Sequence, residues 1–109
     1  MRKPHHPKIE EITVEGILYA LSDPIRAQIF MKLASAECTK TCSTFINISD
    51  LPLPKSTLSQ HFRVLREAGL IYSERKGVEM HNNTRCAELR EKFGDMISAI
   101  VNAYGAQKP

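Results

Sequence analysis

Apolar residues near the start of the chain recur at intervals of three and four, as they do along one face of an α-helix. The first such set is Val14, Ile17, Leu18 and Leu21. It predicts a helix that begins near Ile9. Asp23 and Pro24 then predict the start of a second helix, because Asp is a favoured N-cap and Pro fits the first helical turn. We therefore expect two short helices that meet at a tight corner.

The pattern is least regular between residues 35 and 50. β-Branched residues are frequent there, which weakens the tendency to form a helix. We predict a short helix from Thr41 to Ile48. Pro52 and Pro54 predict a turn after it, since proline cannot continue a helix.

The segment from Lys55 to Ala68 has the clearest two-sided pattern. Its apolar face is Leu58, Phe62 and Leu65. Its polar face is Ser56, Ser59, Gln60, Arg63 and Glu67. The pattern predicts a helix that buries one face and presents short hydrogen-bonding and cationic side chains to water. Gly69 predicts the end of this helix, because glycine is favoured just after a helix C-terminus.

A β-hairpin is predicted directly after that helix. Residues 70–73 and 78–81 alternate between apolar and polar side chains, as strands do, on either side of a tip at residues 74–77. The tip contains Arg75 and Lys76. The expected hairpin therefore has a basic tip.

A last helical region is predicted from Cys86 to Tyr104, with Thr84 as its cap and Gly94 as a point where it can divide. Its wide apolar band is Leu89, Phe93, Met96, Ile97, Ile100, Val101 and Tyr104. Such a band either completes the core of one chain or is shared between that core and a partner. Because a helix apolar over so much of its circumference needs cover on two sides, we expect a homodimer through the first and last helices. The expected interface residues are Leu18, Met96, Ile97, Ile100 and Tyr104.

With 109 residues, 42% of them hydrophobic and 25% charged, the chain has the size and composition of one globular domain. We expect a flexible arm over residues 1–8, a domain over residues 9–104 and a tail over residues 105–109. No apolar run approaches the roughly 18 residues that span a membrane, and the N-terminus lacks the pattern of a signal peptide. We therefore expect a cytoplasmic protein without a membrane partner. Its three cysteines, an odd and small number, predict reduced thiols.

The positive charge is concentrated in one stretch. The formal net charge is +3. Between Pro54 and Lys76 there are five cations and two anions, whereas the rest of the chain carries ten of each. The whole excess therefore lies where the two-sided helix and the basic hairpin are predicted. This distribution is typical of a phosphate-binding surface.

Helix, turn, polar-faced helix and basic hairpin follow one another in the order of a winged helix-turn-helix, so the expected fold is mainly α with a β-hairpin wing. A helix of this kind fits the DNA major groove, and a basic wing tip reaches flanking phosphates or the minor groove. The predicted DNA-binding residues are Lys55, Ser56, Thr57, Ser59, Gln60, His61, Arg63, Arg75 and Lys76. Gln60 is the best candidate to read a base, because its amide can donate and accept hydrogen bonds.

Two segments also resemble the ArsR family (ArsR/SmtB type) of bacterial repressors. They are LSDPIR, from Leu21 to Arg26, and STLSQHFRVLREAGLI, from Ser56 to Ile71. The similarity extends from about Val14 to Tyr104. The resemblance implies a winged-helix dimer, built through the first and last helices, that binds a palindromic operator in double-stranded DNA. It also implies release from that operator by a ligand or by a thiol reaction.

Cys38 and Cys42 are spaced so that on a helix both thiols would share a face, close enough to bind a thiophilic metal or metalloid or to oxidise together. The alternative is that they are small apolar residues packed near the second helix. The resembled family's arsenic sensors have a more closely spaced cysteine pair, and its zinc sensors have Asp and His ligands on the last helix, where this chain has no histidine. We predict Cys38 and Cys42 as sensing residues and expect no other cofactor.

The predicted function is that of a sequence-specific repressor, which binds a palindromic operator as a dimer and is released by an inducer through thiol oxidation or a thiophilic metal at Cys38 and Cys42. A winged-helix module that binds protein or RNA, without inducible repression, is the alternative. An enzyme is not expected, because the chain has no glycine-rich phosphate loop, no nucleophile elbow and no paired carboxylates.

Overall fold

The computed structural model describes residues 5–35, 40–41, 54–77 and 79–107, which form a helical body that carries a small antiparallel sheet. The helices are a 3₁₀ turn at Ile9–Glu11, α1 at Val14–Leu21, α2 at Pro24–Ser35, α3 at Lys55–Glu67, α4 at Cys86–Phe93 and α5 at Met96–Gln107. The strands are β1 at Lys40–Thr41, β2 at Ile71–Lys76 and β3 at Glu79–Thr84. The predicted class, mainly α with a β-hairpin wing, is confirmed.

The first helix begins later than the apolar pattern predicts. The Thr13 hydroxyl accepts a hydrogen bond from the Gly16 N–H at 3.0 Å, so Thr13 is the N-cap of α1. The prediction of a helix from Ile9 is wrong, because Ile9–Glu11 is a 3₁₀ turn and Ile12 after it is extended.

The corner between α1 and α2 confirms the predicted second helix. Asp23 Oδ1 accepts hydrogen bonds from the N–H groups of Ile25 at 2.8 Å and Arg26 at 3.1 Å. Arg26 Nε in turn donates to the carbonyl oxygen of Ala20 at 2.8 Å. The Arg26 side chain of α2 therefore caps a carbonyl group at the C-terminal end of α1.

Buried apolar residues of α1, α2 and α3 meet in one core. Its members from α1, α2 and α3 are Ile17, Ala20, Leu21, Ile29, Phe30, Leu33, Leu58, Phe62 and Leu65. The remaining members are Ile12 before α1, Leu70 and Ile71 at the start of the hairpin, and Leu89 and Ile97 of the last two helices. Burial of a side chain of this size contributes about 1.5–3 kcal/mol. The three buried residues of α3 therefore hold that helix firmly enough to present its other face as a fixed surface.

Gly69 ends α3 as predicted. Its φ is +86°, and a Cβ at this position would lie 2.4 Å from the Ile12 side chain. Only glycine suits both the left-handed backbone and the close approach of Ile12.

The sheet has the order β1-β3-β2, and both strand pairs are antiparallel. The predicted hairpin tip at residues 74–77 is wrong, because β2 continues to Lys76, which pairs with Glu79 at the start of β3. Gly77 has a φ of +66°. A left-handed residue directly after the strand permits a turn tighter than the predicted one.

The short strand β1 lies on the other side of β3, where Thr41 is opposite His81. The predicted helix from Thr41 to Ile48 therefore cannot begin at Thr41, whose β-branched side chain suits a strand. The rest of that predicted helix lies outside the described residues.

The last helical region divides at Gly94, as predicted. Gly94 has a φ of +68° and ends α4, and α5 continues to Gln107, beyond the predicted end at Tyr104. The prediction of Thr84 as a cap is wrong, because Thr84 pairs with Ile71 as the last residue of β3. Of the helices in the described ranges, none has the length and apolar character required to cross a bilayer.

Candidate nucleic-acid interface

The outward surface of α3 carries six of the nine predicted DNA-binding residues. Those six are exposed, namely Lys55, Ser56, Thr57, Ser59, Gln60 and Arg63. The opposite side of the helix is buried through Leu58, Phe62 and Leu65. The structure thus brings the six together on one surface, and contact with DNA stays a prediction.

Arg63 is held only weakly in place. Its Nε lies 3.2 Å from Oε2 of Glu67, and the two side chains are 68% and 53% exposed. An exposed pair of this kind contributes about 0–1 kcal/mol. The guanidinium can therefore leave Glu67 for a stronger anionic partner such as a phosphate.

His61 faces the corner of α1 and α2. It is half-buried, and its Nδ1 is buried without a hydrogen-bond partner among the described residues. Burial lowers the pKa of His61 below its ordinary value, the Asp23 carboxylate opposes this shift, and the Arg26 charge adds to it. The structure therefore places this predicted DNA-binding residue apart from the exposed residues of α3.

The wing, formed by β2 and β3, carries the two remaining predicted contacts. Arg75 is exposed on β2 and lies opposite Met80, while Lys76 is the last residue of β2 and lies opposite Glu79. Both cations are in the outer half of the hairpin, as the sequence predicted, although they belong to the strand and not to its turn.

A buried polar contact joins the wing to α3. The Ser73 hydroxyl donates to Oδ1 of Asn82 at 2.6 Å and accepts from Nη1 of Arg66 at 3.4 Å. Ser73 and Asn82 are both buried. Because a buried polar group without a partner is costly, these bonds favour one orientation of the wing on α3. No contact of these residues was predicted from the sequence, although Ser73 lies two positions after the buried Ile71 and therefore on the same face of β2.

A second cluster, also missed from the sequence, lies at the base of the wing around Arg85. Arg85 is 4% exposed. It lies 4.5 Å from the centre of the Tyr72 ring, pairs with the Glu88 carboxylate at 2.8 Å, and donates to the Pro7 carbonyl oxygen at 2.8 Å. The Arg85 hydrogen bond lowers the pKa of Glu88, so the carboxylate remains charged.

The N-terminal segment packs against this base. Nε2 of His6 accepts a hydrogen bond from the Ser73 N–H at 2.9 Å, and its ring meets Tyr72 edge-on with centroids 5.0 Å apart. Lys92 Nζ donates to the carbonyl oxygens of Ile9 and Ile12, each at 2.8 Å. The described part of the predicted arm is therefore in contact with the domain, and the boundary at residue 8 stays a prediction.

The residues predicted for a dimer interface have different environments. Leu18 and its neighbour Tyr19 are 52% and 66% exposed on α1. Ile97 belongs to the core of the single chain, while Met96 and Ile100 are half-buried beside that core. The half-buried Tyr104 donates a hydrogen bond from its hydroxyl to the Leu21 carbonyl oxygen, which places α5 next to α1.

Cys38 and Cys42 lie outside the described residues. Within the described part of the chain no group of three or more His, Cys, Asp or Glu side chains is placed to hold a metal ion. Cys86 is a free thiol, half-buried against the core.

Comparison with known proteins connects this arrangement to transcriptional regulators. The family model described as "Bacterial regulatory protein, arsR family" matches residues 23–73, which include α2, α3 and the first part of the wing. A search of curated proteins found no match.

Solved structures share the fold at 24% sequence identity. An ArsR-like transcriptional regulator from Rhodococcus sp. RHA1 superposes with a TM-score of 0.58, covering 84% of this chain and 85% of that one. The M. tuberculosis protein Rv0081 gives 0.60, with 85% and 89% covered. The transcriptional repressor BigR from Xylella fastidiosa gives 0.63, with 88% and 87% covered.

These findings agree with the resemblance that the two sequence segments carry. The family model and two of these three structures are named as regulatory proteins of transcription, and none of the three structures is named as an enzyme. Residues 23–73 match the model of the ArsR family of bacterial regulatory proteins, and the chain shares its fold with ArsR-like transcriptional regulators.

Proposed function

We propose that this protein is a transcriptional repressor that binds double-stranded DNA sequence-specifically, as a homodimer at a palindromic operator. The observation that carries the proposal is the outward surface of α3, where six polar or cationic side chains are exposed on a helix whose other face is locked into the core. A helix presented in this way fits the major groove, where base edges can be distinguished. Such a repressor acts in the cytoplasm, where bacterial DNA lies.

The exposed residues divide between positioning and reading. The hydroxyls of Ser56, Thr57 and Ser59 can donate to phosphates, and Arg63 can bind a phosphate or a guanine. Gln60 can bond an adenine through both ends of its amide. Arg75 and Lys76 of the wing supply cations for the flanking backbone.

The dimer is proposed to form through α1 and α5. Leu18 and Tyr19 leave a large apolar area exposed on α1, and the hydrogen bond from Tyr104 to Leu21 keeps α5 beside it. Met96 and Ile100 are half-buried along the same helix, so both helices can contribute to a shared face. Two-fold symmetry would then present two copies of α3 to half-sites about one DNA turn apart.

Release is proposed to occur at Cys38 and Cys42, which lie in the chain between α2 and α3. Joining the two thiols by oxidation or by a thiophilic ion imposes a fixed distance on them, and thiolate bonds are strong enough to shift a two-state equilibrium. Separate Cys38→Ser and Cys42→Ser variants are expected to keep DNA binding and to lose release by diamide or arsenite. Variants that still respond as the wild type does would make these cysteines structural.

The proposal is tested by selecting duplexes from a random-sequence library with the wild-type protein, followed by footprinting. Two symmetric protected half-sites are the expected result. If no duplex is selected, while a parallel selection from random-sequence RNA or a protein-binding assay yields a partner, the alternative function of an interaction module is favoured.

A further inference from the structure

Ser73 is the point at which three parts of the molecule meet. Its hydroxyl bonds Arg66 of α3 and Asn82 of β3, while its backbone N–H donates to Nε2 of His6. Since β2 lies at the edge of the described sheet, the imidazole occupies the place that a further strand would fill. His6 therefore satisfies a donor that the described sheet leaves open.

The protonation state of His6 decides whether this bond exists. A backbone N–H can only donate, so Nε2 must carry no proton and the neutral ring must carry its proton on Nδ1. If Nε2 is protonated, two hydrogen-bond donors, Nε2–H of His6 and the Ser73 N–H, face each other. The hydrogen bond to Ser73 is then lost.

The surroundings of His6 favour the neutral ring. Burial lowers the pKa of His6 most, and the charges on Arg66, Arg85 and His5 lower it further. Glu88 is the anion of the neighbouring cluster, and it is already bonded to Arg85 and Tyr72. The groups that face His6 from α3, from the junction of β3 and α4, from β2 and from its own segment are Arg66, Arg85, Tyr72 and His5.

We propose that His6 is a positioning residue for DNA binding. While its imidazole is neutral, it binds the N-terminal segment to the wing and, through Ser73, supports the contact between the wing and α3. This assignment rests on the proposed DNA-binding function. The exposed surface of α3 and Arg75 of the wing must be held in a fixed relative orientation to contact one duplex. Ser73 belongs to the wing and is hydrogen-bonded to Arg66 of α3, and His6 accepts a hydrogen bond from its backbone N–H at the open edge of β2.

The assignment predicts a pH effect of unusual sign. Protonating a histidine beside DNA adds positive charge and strengthens binding. Protonating His6 removes a contact, so binding weakens as the pH falls. The pKa of His6 in the folded chain lies below the ordinary value of 6.5. The hydrogen bond to Ser73 therefore stabilises the folded chain fully above pH 6.5, and this stabilisation is lost as the pH falls through the lower folded-state pKa.

The test is a fluorescence-anisotropy titration of the full chain with a labelled duplex that the wild type selects from random-sequence DNA, from about pH 5.5 to about pH 8. The wild-type dissociation constant is expected to rise by up to about tenfold toward the acid end, the most that one hydrogen bond supports. His6→Gln should remove this dependence, because its amide oxygen accepts the Ser73 N–H without titrating. His6→Ala should bind weakly throughout.

His5 provides a matched control. It is exposed beside His6, so His5→Gln should keep the weakening at acid pH, displaced only slightly toward higher pH because the His5 charge that lowers the pKa of His6 is removed. If His6→Ala does not fold, the comparison of His6→Gln with His5→Gln decides.

A His6→Gln variant with the pH profile of the wild type would overturn the role assigned to His6 and would leave the proposed DNA-binding function intact. A wild-type chain that selects no duplex would overturn the DNA-binding function and the assignment with it.

Discussion

At the scale of single residues, the proposed DNA binding assigns the reading of bases to Gln60. It is exposed on α3, is uncharged, and offers both a donor and an acceptor, whereas the nearby Arg63 attracts any phosphate. A neutral amide gains little from DNA of arbitrary sequence. Its contribution should therefore appear as specificity and not as general affinity.

We expect Gln60→Ala to weaken binding to the selected duplex by about 1–3 kcal/mol and to leave binding to scrambled DNA almost unchanged. Anisotropy titrations on both duplexes measure the difference. Arg75→Ala is the matched comparison, because a lost phosphate contact should weaken both duplexes alike and reduce the salt slope by about one. An equal loss on both duplexes for Gln60→Ala would remove it as a base reader.

At the scale of elements, the junction of α3 and the wing depends on Gly69. This residue connects α3 to β2. Its backbone is left-handed, and the Ile12 side chain lies close to it. The orientation of the wing relative to α3 therefore depends on a glycine at position 69, where a larger side chain does not fit.

Gly69→Ala should destabilise the protein by about 2–4 kcal/mol, since both the left-handed conformation and the overlap with Ile12 oppose the added methyl group. Urea unfolding measures this. Gly105→Ala serves as the control, because Gly105 lies inside α5, where an added Cβ would have nothing within 4 Å. That change should be neutral or stabilising by up to about 1 kcal/mol. Equal stability of the two variants would contradict this account of the junction.

Features that depend on neighbours in sequence could be predicted, and features that depend on distant partners could not. Asp23 and Gly94 act on residues a few positions away, so their types alone indicate a helix start and a helix break. The sequence predicts a helix start at Thr41 and a helix cap at Thr84 because the strand partners of these residues, His81 and Ile71, are far along the chain.

The candidate site follows the same division. The exposed face of α3 repeats with the period of one helix, so its residues could be listed from the sequence. The bond from Ser73 to His6 joins residues 67 positions apart, and no local pattern indicates it. Arg85 likewise looks like an ordinary surface cation until Pro7 and Glu88 are placed around it.

At the scale of the whole molecule, the proposed dimer provides the symmetry that a palindromic operator requires. Leu18 is 52% exposed in the single chain, so a charge there is compatible with the folded protomer but not with an apolar interface. Leu18→Asp should therefore sediment as a monomer and bind the operator poorly, with unchanged helical content by circular dichroism. A wild type that is itself monomeric at micromolar concentration would contradict the proposed dimer.

Sequence-specific DNA binding by the exposed face of α3 can be measured as the ratio of two dissociation constants at one salt concentration near the physiological value. One duplex is the sequence that the wild-type protein selects, and the other is the same composition scrambled. If this face reads bases, the selected duplex binds at least about a thousandfold more tightly. Equal affinity for the two duplexes would show that the protein does not distinguish DNA sequences.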